Sequence, residues 1–451
     1  MAYNEPPFHP LQFVMECKKI RVKLSIPDSV AKVVETLKNA GYEAYVVGGA
    51  VRDLLLLDAA NNIKDYDIAT SARPQEILQL FPSAVYVDPA SSFPVLRLQV
   101  DDIEIDITTY RRETAKGRRN VQWLFANSLH EDAARRDFSV NALYYDPIGG
   151  YVIDCFNGFE DLRARKIRFT GVAEERIEED PLRLLRALRL AAKLGFNLGT
   201  STITAIRHSA KLITVVPRER IWEEIWRAAS TKRFSYFVGL MSQTYLLPYV
   251  MPHISMLSFV PPPPVGEHQG EGNMFMHTLR VLSRLDGYAA PPDVKLAALY
   301  HDSGYIYTAR VRGRLSYPGH EEASAKIAEE ELTALRAPRR VVRLVVFLVR
   351  QHMRLHHISS SADRRSVIRS IAGFAFDVIT ASRLLGTPPQ QLASYIATLY
   401  LADFGDRRIA ELFTHLATFP MPRVDLRGVK PDQRVNALKS AFVQQALRSL
   451  L

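Results

Sequence analysis

The chain has 451 residues but only two cysteines, Cys17 and Cys155. Two are too few for a disulfide framework or a Cys-rich zinc site. No apolar run reaches the roughly 20 residues that a membrane-spanning helix needs, so no membrane partner is expected. Met1 to Pro10 is polar and proline-rich and lacks the apolar core of a secretory signal. There is no Gly-x4-Gly-Lys-Ser/Thr run, which excludes an ordinary P-loop. No repeat recurs at a fixed period, which excludes a solenoid. These absences predict a cytoplasmic protein.

What is present is length, ordinary hydrophobicity and positive charge. A chain of 451 residues is too long for one core, so several domains are expected. Hydrophobic residues make up 47% and charged residues 24%, as in globular proteins. The net charge of +10 favours a polyanionic partner such as nucleic acid.

Hydrophobic periodicity divides the chain. Val30, Val33, Val34 and Leu37 share a stripe that predicts a helix over 29–40. Tyr45-Val46-Val47 reads as a strand ending at Gly48-Gly49, with a helix over Val51 to Leu57. Further strands are expected at 66–69, 84–88, 94–100 and 103–109, giving a mixed α/β domain that ends near Asp146. From Leu182 onward the apolar spacing is helical, and Pro261 to Pro264 reads as a stiff linker. The predicted organisation is an N-terminal extension (1–28), an α/β head (29–148), a helical neck and body (149–260), a helical domain (265–408) and a tail (409–451).

Lys64-Asp65-Tyr66-Asp67-Ile68 sets two carboxylates two residues apart, hence on one face of a strand. Oxygen-only ligands of this kind suit Mg2+. In Ile103 to Thr108 the isoleucines alternate with Glu104, Asp106 and Thr108, so Asp106 is the candidate third carboxylate if the two strands are neighbours. Two metals so held activate an attacking 3′-hydroxyl and stabilise a leaving pyrophosphate. Upstream, Gly48-Gly49 between strand and helix lets the backbone approach a phosphate, the helix N-terminus offers free N–H groups, and Arg52 adds a cationic fork.

Asp180, Arg183, Arg186 and Arg189 recur every three residues, near helical spacing. An Asp accepts hydrogen bonds and an Arg only donates. Cytosine and adenine both present an amino donor beside a ring-nitrogen acceptor, while uracil and guanine present the reverse. One Asp–Arg pair therefore suffices to take C and A and reject U and G.

Gly48 to Asp53 with Asp65 and Asp67 resembles the first motif of class II tRNA nucleotidyltransferases, the CCA-adding enzymes, and of their poly(A) polymerase relatives. Arg135-Arg136-Asp137 through Asn141 resembles that family's ribose- and phosphate-contacting motif, and Glu179-Asp180-Pro181-Leu182-Arg183 its Glu-Asp-x-x-Arg motif. The resemblance implies a polymerase β-like nucleotidyltransferase head followed by an all-α neck and body. It implies nucleotide contacts from Gly48, Gly49, Arg52, Arg136, Asp137 and Asn141. It also implies base selection by Asp180 and Arg183, with Arg186 and Arg189 nearer the phosphates or supporting the pocket. The implied reaction adds C, C and A to the 3′ end of tRNA from CTP and ATP. An A-adding enzyme or poly(A) polymerase is the alternative on the same fold, although Ser91 to Arg97 lacks the basic Gly-Arg-Arg-Phe-like run of the poly(A) polymerases. The basic stretches Tyr110-Arg111-Arg112 and Gly117-Arg118-Arg119 read equally as a mobile loop near the nucleotide or as solvated surface.

The C-terminal half carries His277, His301-Asp302, His320, His352 and Asp403 on separate helical segments. Imidazole plus carboxylate suits a transition metal such as Ni2+ or Mn2+. Tyr300-His301-Asp302-Ser303-Gly304 resembles the HD phosphohydrolase superfamily, with Tyr305 where many members have Lys. The resemblance implies a phosphatase or cyclic phosphodiesterase. It leaves open a second alternative, an HD phosphohydrolase whose N-terminal half only binds RNA. Nothing in the sequence chooses between monomer and homodimer.

Overall fold

The computed structural model describes residues 16–450 apart from 58–62, 89–93, 115–121, 264–271, 313, 360–362, 404–405 and 428. The chain forms two compact units. The first runs to Arg183 and takes in Phe196–Ser209; the second is Leu184–Gly195 with everything from Ala210 onward. Among the described residues, no helix is long and apolar enough to cross a membrane.

The first unit is built from β1 (Lys18–Arg21), α1 (Asp28–Asn39), β2 (Ala44–Val47), α2 (Gly49–Leu57), β3 (Asp65–Thr70), α3 (Pro74–Leu80), β4 (Val85–Tyr86), β5 (Leu96–Val100), β6 (Ile103–Thr109), β7 (Arg111–Thr114), β8 (Gln122–Phe125), α4 (Leu129–Ala134), β9 (Leu143–Asp146), β10 (Tyr151–Asp154), α5 (Gly158–Arg163), β11 (Lys166–Ile167) and α6 (Ala173–Glu179). Helix α7 (Arg183–Leu194) follows, then β12 (Asn197–Leu198) and α8 (Thr200–Ser209). Eight strands make one sheet in the order β1-β10-β9-β2-β3-β6-β5-β4. Of the neighbouring pairs only β3 and β6 are parallel. The predicted stripe of α1 is its buried face, formed by Val30, Val33, Val34 and Leu37.

The sheet reaches beyond the expected head on both sides. Residues 18–21, assigned to an extension, are its edge strand, and β10 lies past residue 148. A turn joins β9 to β10: Asp146 accepts from the N–H groups of Ile148 and Gly149, and Gly150 takes φ +66. Cys17 and Cys155, one residue outside the paired Lys18 and Asp154, are bonded to each other. So the two cysteines, too few for a framework, form one cross-link between the edge strand β1 and its neighbour β10. Residues 1–15 and Gly117-Arg118-Arg119 lie outside the described residues.

The second unit continues with α9 (Arg218–Ala229), α10 (Phe234–Gln243), α11 (Leu247–Val250), α12 (Pro252–Met256), α13 (Met274–Gly287), α14 (Pro292–Tyr300), α15 (Tyr305–Thr308), the hairpin β13 (Arg310–Arg312) and β14 (Arg314–Ser316), α16 (His320–Ala334), α17 (Arg339–Gln351), α18 (Met353–Ser359), α19 (Arg364–Leu385), α20 (Pro389–Asp403), α21 (Arg407–Leu416) and α22 (Arg434–Leu450). Helix α14 is buried from Val294 to Tyr300 and is packed by α13, α16, α17 and α20. A helix buried all round belongs at the centre of a bundle, and its one buried charge, Lys295, is paired with Asp286 at 2.8 Å. Its C-terminal end therefore delivers His301 and Asp302 into the interior.

Candidate active sites

Strand β3 alternates as expected. Tyr66 and Ile68 are buried, while Asp65 and Asp67 face out on one side. Parallel pairing with β6 sets Asp67 opposite Asp106 and Asp65 opposite Glu104. The strands are thus neighbours, and the carboxylates share a face. Arg97 on β5 is opposite Asp106 as well, and its guanidinium takes both Asp106 oxygens, at 2.7 and 2.9 Å, and reaches Glu104 at 2.9 Å. Asp106 is beside the pair but engaged.

Protein atoms packed around Asp67 desolvate it and raise its pKa. Arg136 and Arg135 pull the other way, while Asp106 and Asp65 push it up further. Gathered negative charge of this kind is a cation's setting. Gly48 turns at φ +80, and a Cβ there would meet Asp67 Oδ2 at 3.3 Å and an Arg136 nitrogen at 3.5 Å. Glycine is needed for both reasons. Arg52 lies under Gly49, buried, and donates to Asp53 at 2.8 Å and to Asn141 at 2.5 Å.

Arg135 and Arg136 are aimed by a residue without a motif of its own. Asp132, fully buried on α4, accepts from Arg135 at 2.8 Å, from Arg136 at 3.3 Å and from the Tyr144 hydroxyl at 2.6 Å. Arg136 also donates to that hydroxyl at 2.9 Å. Burial raises the Asp132 carboxyl, but the two guanidinium groups outweigh it and hold it below its ordinary value.

Arg183 is almost fully buried. It donates to Asp137 at 2.7 Å, to Glu179 at 2.6 Å and to the Arg176 carbonyl at 2.7 Å. Its guanidinium is fixed from three sides. Asp180 ends α6 in extended backbone, and its carboxylate accepts from the Leu182 N–H at 3.2 Å. Further along α7, Arg189 pairs with the buried Glu224. Arg186 lies half-buried between them in sequence.

In the second unit His277, His301, Asp302, His320 and His352 are buried together, with Asp403 at the end of α20. Asp302 Oδ2 faces His277 and His301 at 3.5 and 3.3 Å. Its Oδ1 faces His320 and His352 at 3.3 and 3.5 Å. Asp403 Oδ1 lies 3.2 Å from His277. One carboxylate thus stands between two ligand groups, His277–His301 and His320–His352.

The imidazoles are oriented for metal. His320 Nδ1 meets the Tyr317 carbonyl at 2.9 Å and His352 Nδ1 the Val349 carbonyl at 2.7 Å. A proton on each Nδ1 leaves the Nε2 lone pairs facing each other at 3.3 Å, which repels unless a cation lies between. His301 Nδ1 is fixed likewise by the Ala298 carbonyl at 2.7 Å. Asp302 is buried between the imidazoles of His301, His320 and His352. These donors fit a pair of divalent cations.

Residues 44–168 match the poly A polymerase head domain, residues 195–257 the probable RNA and SrmB-binding site of polymerase A, and residues 274–403 the HD domain. CCA-adding enzymes of Anoxybacillus flavithermus and Lactobacillus helveticus are each 41% identical, over 220 and 204 residues. These stretches are 48% and 44% of this chain; they span about half the length of those relatives, 54% and 50%. The solved structure of the Bacillus stearothermophilus CCA-adding enzyme in complex with CTP is similar at a TM-score of 0.65 and 25% identity, over 92% of both chains. In its head, RNA-binding and HD segments the chain is similar to poly(A) polymerases and CCA-adding enzymes. A tRNA nucleotidyltransferase solved with a primer tRNA and an incoming ATP analogue shares the fold, at a TM-score of 0.55 and 21% identity over 85% of this chain and 97% of that one.

The expected fold class, a polymerase-type head followed by a helical region with an HD domain, is the one observed. Families of both kinds generally use divalent metals. Several partners of the candidate residues carry no local sequence signal. Arg97, Asp132, Tyr144 and Glu224 each hold a candidate residue. His356 Nε2 stands 3.1 Å from Asp403 Oδ2. Tyr305, in place of the usual Lys, stacks on Tyr317 and meets His320 edge-on.

Proposed function

We propose that this chain adds C, C and A to the 3′ end of tRNA, using CTP and ATP and releasing pyrophosphate, and that its HD centre hydrolyses phosphoesters. The reading rests first on one observation. Asp65 and Asp67 face out side by side, with the Gly48 turn and Arg136 packed against Asp67.

Asp65 and Asp67 would hold Mg2+, which when bound supplies the charge that activates a 3′-hydroxyl and neutralises the departing pyrophosphate. The chain's own groups do the rest. The N–H groups at the start of α2, which the Gly48 turn leaves open, take the triphosphate. Arg52, clamped by Asn141 beneath them, adds fixed positive charge. Arg136, steered by Asp132 and Tyr144, faces the phosphate side of Asp67. The 3′-oxygen forms its bond to the α-phosphorus as the bond to the β-phosphate bridge breaks.

Asp180 accepts from the amino group that C and A share, and Arg183 donates to the adjacent ring nitrogen. Arg183 is locked by Asp137 and Glu179, so this template is pre-ordered. Arg189 on α7 is held by Glu224. In the HD centre His277, His301, Asp302, His320 and His352 would hold Mn2+ or Ni2+, which would supply charge to activate water. A cytoplasmic location goes with tRNA maturation. The test is tRNA lacking its last three nucleotides, given CTP, ATP or both. Two C residues from CTP, and a terminal A only after them, are expected. Long A tails from ATP alone would replace this reading with the poly(A) alternative.

A further inference from the structure

Helix α18 carries His357 at its exposed side, and this imidazole lines two adjoining hollows. One is walled by His320, Glu321, Tyr317 and Met353 and opens beside the HD ligand cluster. The other, of about 400 Å³, is walled by Arg354, Arg369, Ser370, Gly373 and Lys439. Its three cations come from three helices, α18, α19 and α22, and from positions far apart in the sequence. Convergence of that kind is unlike the evenly spread charge of a solvated helix face.

The charge balance stays positive. Asp377 binds Lys439 through both oxygens, at 2.7 and 2.8 Å, and touches Arg354 at 3.4 Å. Among the described residues Arg369 has no carboxylate partner. One carboxylate against three cations leaves the hollow positive. Gly373 lines the hollow beside Lys439, whose Cε would be in ordinary contact, 3.4 Å, with a Cβ there. Ser370 adds a hydroxyl that donates to an anion.

We infer that this second hollow binds an internal phosphodiester of an oligoribonucleotide whose terminal phosphoester lies in the HD centre. Arginine forks and a lysine point charge are suited to phosphate oxygens. A hollow that shares His357 with the one walled by the ligand His320 is placed to take the neighbouring phosphate of the same strand. The HD centre is then a site for RNA ends rather than for isolated phosphate esters, and the C-terminal helix α22 belongs to it through Lys439. This rests on the HD centre being hydrolytic.

The experiment uses the full chain loaded with Mn2+ or Ni2+ and two substrates. Bis(p-nitrophenyl) phosphate has no second phosphate; a short RNA ending in a 2′,3′-cyclic phosphate has several. In Arg369→Gln and Lys439→Gln, KM for the RNA should rise about tenfold at unchanged kcat, while both constants for the small diester stay as they were. Ser370→Glu places a negative charge in the hollow without removing a cation and should raise KM for the RNA further. A wild-type chain inert towards bis(p-nitrophenyl) phosphate would remove the HD reading and this inference with it. An active chain whose RNA constants are indifferent to all three substitutions would overturn the inference alone. Equal loss on both substrates would do the same.

Discussion

Arg97 holds Asp106 by a two-pronged ion pair, 2.7 and 2.9 Å, on the strand beside the one that carries Asp67. A bidentate charge-assisted pair is among the stronger contacts a carboxylate makes. The two acids are register partners, yet only Asp67 faces its site without such a clamp. Asp67→Asn is therefore expected to lower kcat for CTP addition by roughly a thousandfold, the loss of several kcal/mol of charge stabilisation. Asp106→Asn should cost only about tenfold, equivalent to about 1.4 kcal/mol. Single-turnover rates with truncated tRNA measure both. Equal losses would mean that Arg97 releases Asp106 to the metal and that the third carboxylate is a true ligand.

Base choice separates Asp180 from Arg183. Asp180→Ala should admit UTP and GTP with no fall in melting temperature, because its carboxylate is half-exposed. Arg183→Ala should also relax base choice, but it removes a buried guanidinium from Asp137 and Glu179. Breaking such a buried pair costs about 3–5 kcal/mol, so unfolding of this variant should shift clearly. Misincorporation assays and thermal scans on the two variants distinguish them. Wild-type nucleotide preference in Asp180→Ala would remove it from the template.

Which of these features the sequence reveals follows from their range. Asp65 and Asp67 are legible because a strand's two-residue period puts them on one face with no tertiary information. The HD ligands are legible because each lies in the first or last turn of a helix or just beyond it. The grip of Arg97 on Asp106 is not, since it depends on β5 pairing with β6 in one register. Arg183 finds Asp137 across 46 positions, and nothing local marks that choice. Strand β1 was hidden because Lys18-Lys19-Ile20-Arg21 holds one apolar residue; its place comes from β10 and from the bond between Cys17 and Cys155. His356 and His357 are adjacent in sequence, and only the bundle shows that the first meets Asp403 while the second lines the hollows.

Metal should bind the HD ligands independently of nucleotide addition. Mn2+ or Ni2+ at a hundredfold excess over its Kd should stabilise the second unit by about 2.7 kcal/mol. Asp302→Asn and His320→Ala should abolish that shift, because Asp302 stands between both ligand groups and His320 belongs to one. His301→Ala should retain CCA addition. Thermal scans with each ion, beside the addition assay, are the measurements. An unchanged metal shift in Asp302→Asn would remove Asp302 from the ligand set.

The bond between Cys17 and Cys155 closes a loop with a sequence separation of 138. Disulfides are uncommon in reducing compartments, so its state is worth measuring directly. Unfolded wild-type chain prepared without reductant should titrate no free thiol, and two after reduction. Cys17→Ser should lower stability by roughly 2–4 kcal/mol under oxidising conditions and have little effect in reductant. Equal stability of the two proteins without reductant would show that β1 is held by its hydrogen bonds alone.

Asp132 offers the sharpest link between stability and the site. Its folded-state pKa lies below the ordinary 3.8, because Arg136 and Arg135 overcome the cost of burial. A lowered folded pKa means that the ion pairs stabilise fully above the unfolded value and are lost as pH falls through the folded one. Asp132→Asn should therefore be less stable than wild type by about 3–5 kcal/mol at pH 7, and the gap should close only below about pH 4. The same change frees Arg136 next to Asp67, so triphosphate KM should rise at a temperature where the variant is still folded. Denaturant unfolding of both proteins across pH 3 to 8, with KM for CTP at pH 7, tests the two halves together. A gap that stays constant to pH 3 would show that Asp132 acts as a neutral packing group, and an unchanged KM would detach it from the aim of Arg136.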